Sequence, residues 1–381
     1  MIRVLVDCTA LPHNHAGVGR YLQGVIPSLC DDDSIELHLV VQARDARFLR
    51  NLAPNATVHA ISAVYAGTVA RLFWEQLLLP RFARSINAEI VHSPHYTFPI
   101  AWQGPHVVTL HDATFFSDPN SHTFVKRHFF RFWTRLTWRF ATVVITPSAA
   151  TASEVERFIG SPFAHIHVAH LGVDPSVFRP PTAKQNSEFR KLIGAGPDDT
   201  WFAFLGTIEP RKNMSAILEG YARVRAELGV AAPALLVSGA RGWDKEAIAK
   251  LDALTVDSGV RELGYLPLAS LSALLGGAVA TVYPSLGEGF GLPVLEAMAC
   301  GAAVITTDRL AIPEVGGNAV YYTKPDAQSI GDAMLVVARD RQLTAELHKK
   351  ALLRSTQFTW AETARAHSRA YVATTHPKAK V

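Results

Sequence analysis

Glu288 and Glu296 stand eight residues apart in EGFGLPVLEAMACG (288–301), one at the mouth of a glycine-rich turn and one inside the helix that follows. Gly287, Gly289 and Gly291 open that turn, and Pro293 suits the first turn of a helix, within which Glu296 is expected. Carboxylates accept strongly from vicinal hydroxyls, so two of them here suit a polyhydroxylated ligand. Upstream, GTIEPRKN (206–213) turns at Gly206 and Thr207 and sets Arg211 and Lys212 just before another helix. A guanidinium that forks across two oxygens, an ammonium point charge and free helical N–H groups together suit a diphosphate. Diphosphate and vicinal hydroxyls in one place read as a nucleotide-sugar pocket. Paired acids also serve glycosidases as acid and nucleophile, but that alternative leaves Arg211 and Lys212 without a role.

Other polar residues fall where parallel strands end. His111 and Asp112 follow the apolar run HVVTL; the imidazole can donate a hydrogen bond or act as a base, and the carboxylate can accept from a hydroxyl. His92 and His95 end the preceding run, where a histidine metal site is conceivable but no spacing supports one. NHAGVGRYLQG (14–24) follows the first strand: Gly17 and Gly19 admit close approach of a ligand, and Arg20 adds a charge at the start of a helix. FVKRHFFRFWTRLTWRF (124–140) has no acid, and Arg127, Arg131, Arg135 and Arg139 recur every four residues along one helical face. Such a stripe needs an anionic partner: a membrane surface is one candidate, acids elsewhere in the fold another, and the aromatics can equally be core. RLFWEQLLLPRFARS (71–85) is similarly amphipathic.

These residues must be positioned by an alternation of short strands and helices. Runs at 2–7, 35–41, 88–94, 106–112 and 141–149 are nearly continuous in apolar residues, as buried parallel strands are. A second series begins at Trp201, with runs at 201–206, 234–239, 280–285 and 302–307. Between the series, 178–190 is polar, holds Pro180 and Pro181, and reads as an inter-domain linker. The 381 residues suffice for two domains, and with 49% hydrophobic and 18% charged residues a folded globular protein is expected rather than disorder. A formal net charge of +4 gives no support to nucleic-acid binding. Three dispersed cysteines without a CxxC suit a reducing compartment, and the chain shows neither a signal-peptide pattern nor an eighteen-residue apolar run. A cytoplasmic protein is expected.

The Glu-x7-Glu motif, with GTIEPRKN, GVGRY and TLHD, resembles the retaining glycosyltransferases of family four over nearly the whole chain, nearest a bacterial branch rich in mannosyltransferases of O-antigen and exopolysaccharide synthesis. The resemblance implies an α/β, GT-B fold: two Rossmann-like doubly wound domains facing across a cleft. Residues 1–175 would bind the acceptor, 190–357 the donor, and a helix at 358–375 would pack back on the first domain. Arg211 and Lys212 would bind the donor diphosphate, Glu288 the donor sugar and Glu296 the ribose. Gly206, Phe290, Gly291 and Leu292 would line the nucleotide sugar. His111 would sit over the reacting centre, Asp112 and Arg20 on the acceptor side, and Gly17 and Gly19 would approach phosphates or acceptor. By the same resemblance no metal is required. GDP-mannose is the expected donor, with UDP-glucose or a rhamnosyl nucleotide as alternatives, and a glycan or lipid-linked sugar is the acceptor, at the inner face of the plasma membrane. The alternative outside enzymes is a nucleotide-sugar-binding scaffold.

Overall fold

The computed structural model describes residues 1–12, 17–118 and 123–375. Asn14, His15 and Ala16 of the glycine-bearing loop and residues 376–381 of the tail lie outside them. The chain divides into two compact units, one formed by Met1–Gly172 with the chain from Thr359 onward, the other by Val173–Phe358.

The first unit is built on seven parallel strands: β1 (Ile2–Asp7), β2 (Ile35–Gln42), β3 (Thr57–Ile61), β4 (Ile90–Ser93), β5 (His106–Thr109), β6 (Val143–Thr146) and β7 (His165–Val168), in the order β3-β2-β1-β4-β5-β6-β7. The second has β8 (Trp201–Leu205), β9 (Ala234–Ser238), β10 (Val260–Gly264), β11 (Ala280–Tyr283), β12 (Val304–Thr306) and β13 (Tyr321–Tyr322), ordered β10-β9-β8-β11-β12-β13. Both sheets are parallel throughout and flanked by helices, a Rossmann-like doubly wound pattern. The interior strands β1, β4, β5, β6, β8, β11 and β12 are almost wholly buried, which is why they read as unbroken apolar runs. In each sheet the strand order reverses once, between β1 and β4 and between β8 and β11. Ligands of such sheets bind outside the carboxyl ends of the strands that flank the reversal.

The segment read as a linker is structured. Thr182 and Gln185 form a capping box, each side chain accepting from the other's backbone N–H, and start the helix Ala183–Leu192. Phe189 anchors that helix at 5.6 Å from the ring of Trp201. The prolines mark a helix start, and the unit boundary falls earlier, between Gly172 and Val173.

The last helix, Trp360–Thr375, belongs to the first unit. Gly24 lies directly under the indole of Trp360, where a Cβ would stand 2.0 Å from the ring. A buried clasp lies alongside. His367 Nδ1 donates to Thr363 O, so its Nε2 accepts from Tyr21 Oη at 2.5 Å. His92 sits between Tyr371 Oη (2.8 Å) and Thr109 Oγ1 (2.9 Å). Burial lowers the pKa of both imidazoles, that of His367 to about 4. His92 is therefore a hydrogen-bonded core residue and does not line a ligand site.

Candidate active site

In the second unit, the loop after β8 tightens into a single 3-10 turn, Pro210–Lys212, and Asn213 adopts a left-handed conformation at φ 62° before the helix Met214–Leu228. The loop after β11 runs to Gly291, whose φ is 105° and where a Cβ would meet Ile312 at 2.8 Å, so glycine is required at the entrance to the helix Leu292–Ala299. The two loops are stapled together. Arg211 O accepts from Leu286 N at 2.7 Å and from Ser285 Oγ at 3.0 Å, and Asn213 Nδ2 donates to Pro284 O. Close packing at the strand ends also fixes Gly239, whose Cβ would lie 2.1 Å from Gly206 O.

The stapling brings Arg211, Lys212 and Glu288 into one cluster. Lys212 Nζ donates to Glu288 Oε1 at 2.6 Å and also to Tyr283 Oη. Arg211 Nη1 lies 2.8 Å from Glu288 Oε2, while its Nε donates to Glu209. Ser285 and Tyr283 add hydroxyl donors to Glu288 Oε1 at 2.8 and 2.9 Å. Burial alone would raise the pKa of Glu288; Arg211 and then Lys212 overcome it and bring the carboxyl down to about 2. Burial lowers the pKa of Lys212, against the pull of Glu288. A carboxyl held at about 2 is no general acid at neutral pH, so Glu288 does not fit the acid of the glycosidase alternative.

Glu296 is buried as the fifth residue of the helix Leu292–Ala299, just past the first turn in which it is expected. Phe290 is buried at the loop end, against Phe358.

In the first unit His111 and Asp112 follow β5. His111 Nε2 donates to Pro94 O at 2.8 Å, which fixes the tautomer and leaves Nδ1 with its lone pair. Burial lowers the imidazole's pKa, so at neutral pH it is an acceptor rather than a cation. Asp112 Oδ1 accepts from Thr114 N and Oγ1 ahead of the short helix Thr114–Ser117. Gly17 caps the helix Val18–Cys30, whose first turn carries Gly19 and Arg20.

The basic aromatic segment is the helix Phe124–Phe140. Its arginine stripe is partly used inside the unit: Arg131 donates to Phe115 O and stacks on Phe116, Arg135 covers the same ring, and Arg139 covers Phe163. Trp133, Trp138, Phe129 and Phe130 pack into the core with Tyr96 and Phe115. Phe124, Val125, Phe132 and Phe140 remain exposed. Among the described residues no helix is long and apolar enough to cross a membrane.

The sequence reading missed Tyr283, Ser285 and Glu209 around Glu288. It named His95 but missed Asp7 and Glu75, with which His95 forms a buried set in the first unit. A charge at the last position of an apolar strand, and one acid inside the apolar stretch 71–80, were the available signals.

Residues 15–177 match the family model described as Glycosyltransferase Family 4, and residues 185–354 that of Glycosyl transferases group 1. The chain is 29% identical to O-antigen chain mannosyltransferase B of Escherichia coli over 279 residues, covering 73% of this chain and 72% of that protein. It is 36% identical over 170 residues to the serotype-specific mannosyltransferase WbdA of Escherichia coli, covering 44% of this chain but only 21% of that longer protein. Among solved structures, Anabaena HepE in complex with UDP-glucose superposes with a TM-score of 0.77 at 16% identity, covering 98% of this chain and 100% of that one, a likeness of fold.

Proposed function

We propose that this chain, which belongs to glycosyltransferase family 4 with the GT-B fold, transfers a hexose from a nucleotide sugar to a glycan acceptor with retention of anomeric configuration. The observation that carries the reading is the convergence of Arg211, Lys212 and Glu288 beside two helix starts at the switch point of the second sheet. In this reading the two cations take the donor diphosphate and stabilise it as it leaves, a task that fixed charges and helix N-termini perform together. Glu288, released from them by the incoming anion, accepts from hydroxyls of the hexose. Glu296 serves the ribose, and Gly206, Phe290, Gly291 and Leu292 line the nucleotide. His111, neutral with a free Nδ1, can accept from a sugar hydroxyl; Asp112 and Arg20 serve the acceptor, with Gly17 and Gly19 at the loop.

The donor expectation broadens. Two relatives are named mannosyltransferases, whereas the fold neighbour was solved with UDP-glucose. The charged cluster reads diphosphate and hydroxyls rather than the base, so any nucleoside diphosphate hexose fits it. The test is a panel of GDP-mannose, UDP-glucose and rhamnosyl nucleotides, scored for binding and slow hydrolysis with and without EDTA. One donor is expected to bind and turn over equally well with the chelator, and Arg211→Ala to weaken it. If no nucleotide sugar binds, the reading fails; if EDTA abolishes turnover, its metal-free chemistry does.

A lipid-linked acceptor at the inner membrane face is the form that the outer surface of Phe124–Phe140 favours. Exposed Phe124, Val125, Phe132 and Phe140 alternate there with Lys126, Arg127, Arg135 and Arg139, an arrangement suited to anionic lipid. Co-sedimentation with phosphatidylglycerol vesicles is expected, to fall with added salt, and to be lost in the Phe132→Ser/Arg135→Glu double variant. Equal sedimentation with purely zwitterionic vesicles would count against it.

A further inference from the structure

The switch point of the first sheet carries a polar cluster with no part in the reading above. Asp7 ends β1, and His95 follows β4 by two residues, so the pair straddles the reversal. Glu75 arrives from a π turn, Trp74–Leu78, set within an otherwise α-helical stretch; such wide turns occur preferentially at functional positions. His95 Nε2 lies 3.5 Å from Glu75 Oε2 and 3.8 Å from Asp7 Oδ2. Arg71 Nη1 and Thr97 Oγ1 both donate to Glu75 Oε2, at 2.6 and 2.9 Å, and Thr9 donates to Asp7 Oδ1.

Two buried atoms of this cluster have no hydrogen-bond partner: Asp7 Oδ2 and His95 Nδ1. Arg71 Nη1, which can only donate, lies 3.4 Å from His95 Nε2, so Nε2 accepts there and the ring proton sits on Nδ1: the orphans are one acceptor, Asp7 Oδ2, and one donor, His95 Nδ1. Leaving such an atom unsatisfied costs about 1–3 kcal/mol, and a ligand whose hydroxyls both donate and accept relieves the pair. A metal ion fits poorly, because the Arg71 guanidinium already lies 2.6 Å from Glu75 Oε2 and 3.4 Å from His95 Nε2. An anion fits worse, with two carboxylates against one guanidinium. Hydroxyls of a neutral ligand fit.

We propose that Asp7, Arg71 and His95 form a subsite in the first unit for a neutral sugar of the acceptor, with Glu75 as the positioning residue that holds Arg71 and His95. This rests on the transferase reading. Asp7 Oδ2 accepts from one hydroxyl, His95 Nδ1 donates to another, and Arg71, the most accessible member of the cluster at 12% side-chain exposure, donates to ring or hydroxyl oxygens.

The full chain is tested by saturation-transfer NMR with neutral methyl hexopyranosides and with hexose 6-phosphates, alongside donor kinetics and metal content. A neutral glycoside is expected to bind the unsubstituted protein in preference to its phosphate, and Arg71→Ala and His95→Ala to weaken it by about tenfold, the worth of one charged hydrogen bond. The KM for the donor, bound in the second unit, separates an acceptor defect from misfolding; where an alanine variant fails to fold, Arg71→Lys and His95→Gln replace it. Unweakened glycoside binding in the variants overturns the subsite, as does absent glycoside binding or preference for the 6-phosphates. Stoichiometric metal that His95→Ala loses overturns it in favour of a cation site. Failure of the transferase reading has a different signature, absence of donor turnover in the unsubstituted protein.

Discussion

Replacing Lys212 by methionine is expected to lower kcat/KM for the donor by about 10²–10³-fold, the loss that follows removal of one preorganised transition-state donor. Lys212 is buried, so its ammonium is not a mobile surface charge; Glu288 and Tyr283 aim it. Its nitrogen also lies 4.6 Å from the centre of the Tyr283 ring. Methionine keeps the length and apolar stem and can place sulfur against that ring, so packing is largely preserved. Arg211 still neutralises Glu288 in the variant, which limits the damage to stability. Rate should therefore collapse while thermal stability moves little. Initial-rate kinetics of donor hydrolysis with parallel melting curves check this. A variant with unchanged kcat/KM would remove Lys212 from the chemistry, and a large loss of stability with normal turnover in the folded fraction would make it a structural ion-pair residue.

How much of this could be read beforehand depended on where each element lies in its sheet. The interior strands bury both faces, and each of their runs was legible as continuous apolar sequence. Thr57–Ile61, His165–Val168, Val260–Gly264 and Tyr321–Tyr322 were not, and these are the edge strands of the two sheets. An edge strand is half solvated, so TVHAI, HIHV and VRELG carry the polar residues that hide a strand from such a reading. The stretch at 178–190 misled for a related reason: a capping box and one buried phenylalanine hold a helix whose remaining surface is polar. At the site, Arg211, Lys212 and Glu288 were legible because each sits at the carboxyl end of a strand in a turn-rich motif. Tyr283 and Ser285 were not, because their donation to Glu288 exists only once the loops after β8 and β11 are stapled. Glu75 was hidden by the π turn, since a regular helical period does not predict which way its side chain points.

Glu288→Gln is expected to impair both activity and stability, with a pH signature. The carboxylate is buried and receives Lys212, Arg211, Ser285 and Tyr283 within 2.9 Å. An amide leaves the two cations without their counter-charge, and breaking a buried pair in this way costs about 3–5 kcal/mol. A nucleoside diphosphate supplies the missing negative charge, so it should raise the melting temperature of the variant more than that of the parent. The ordinary value of this carboxyl is 4.5 and its folded value about 2, so folding favours the ionised form. That contribution, on the order of 3 kcal/mol, is fully present above pH 4.5 and is lost as pH falls towards 2. The parent should therefore lose stability across this window more steeply than the variant, and the gap between them should narrow. Melting curves taken through the window test the linkage directly. A gap independent of pH would mean that the carboxylate is not held ionised by Arg211 and Lys212, and the case for a paired-cation diphosphate site would fall with it.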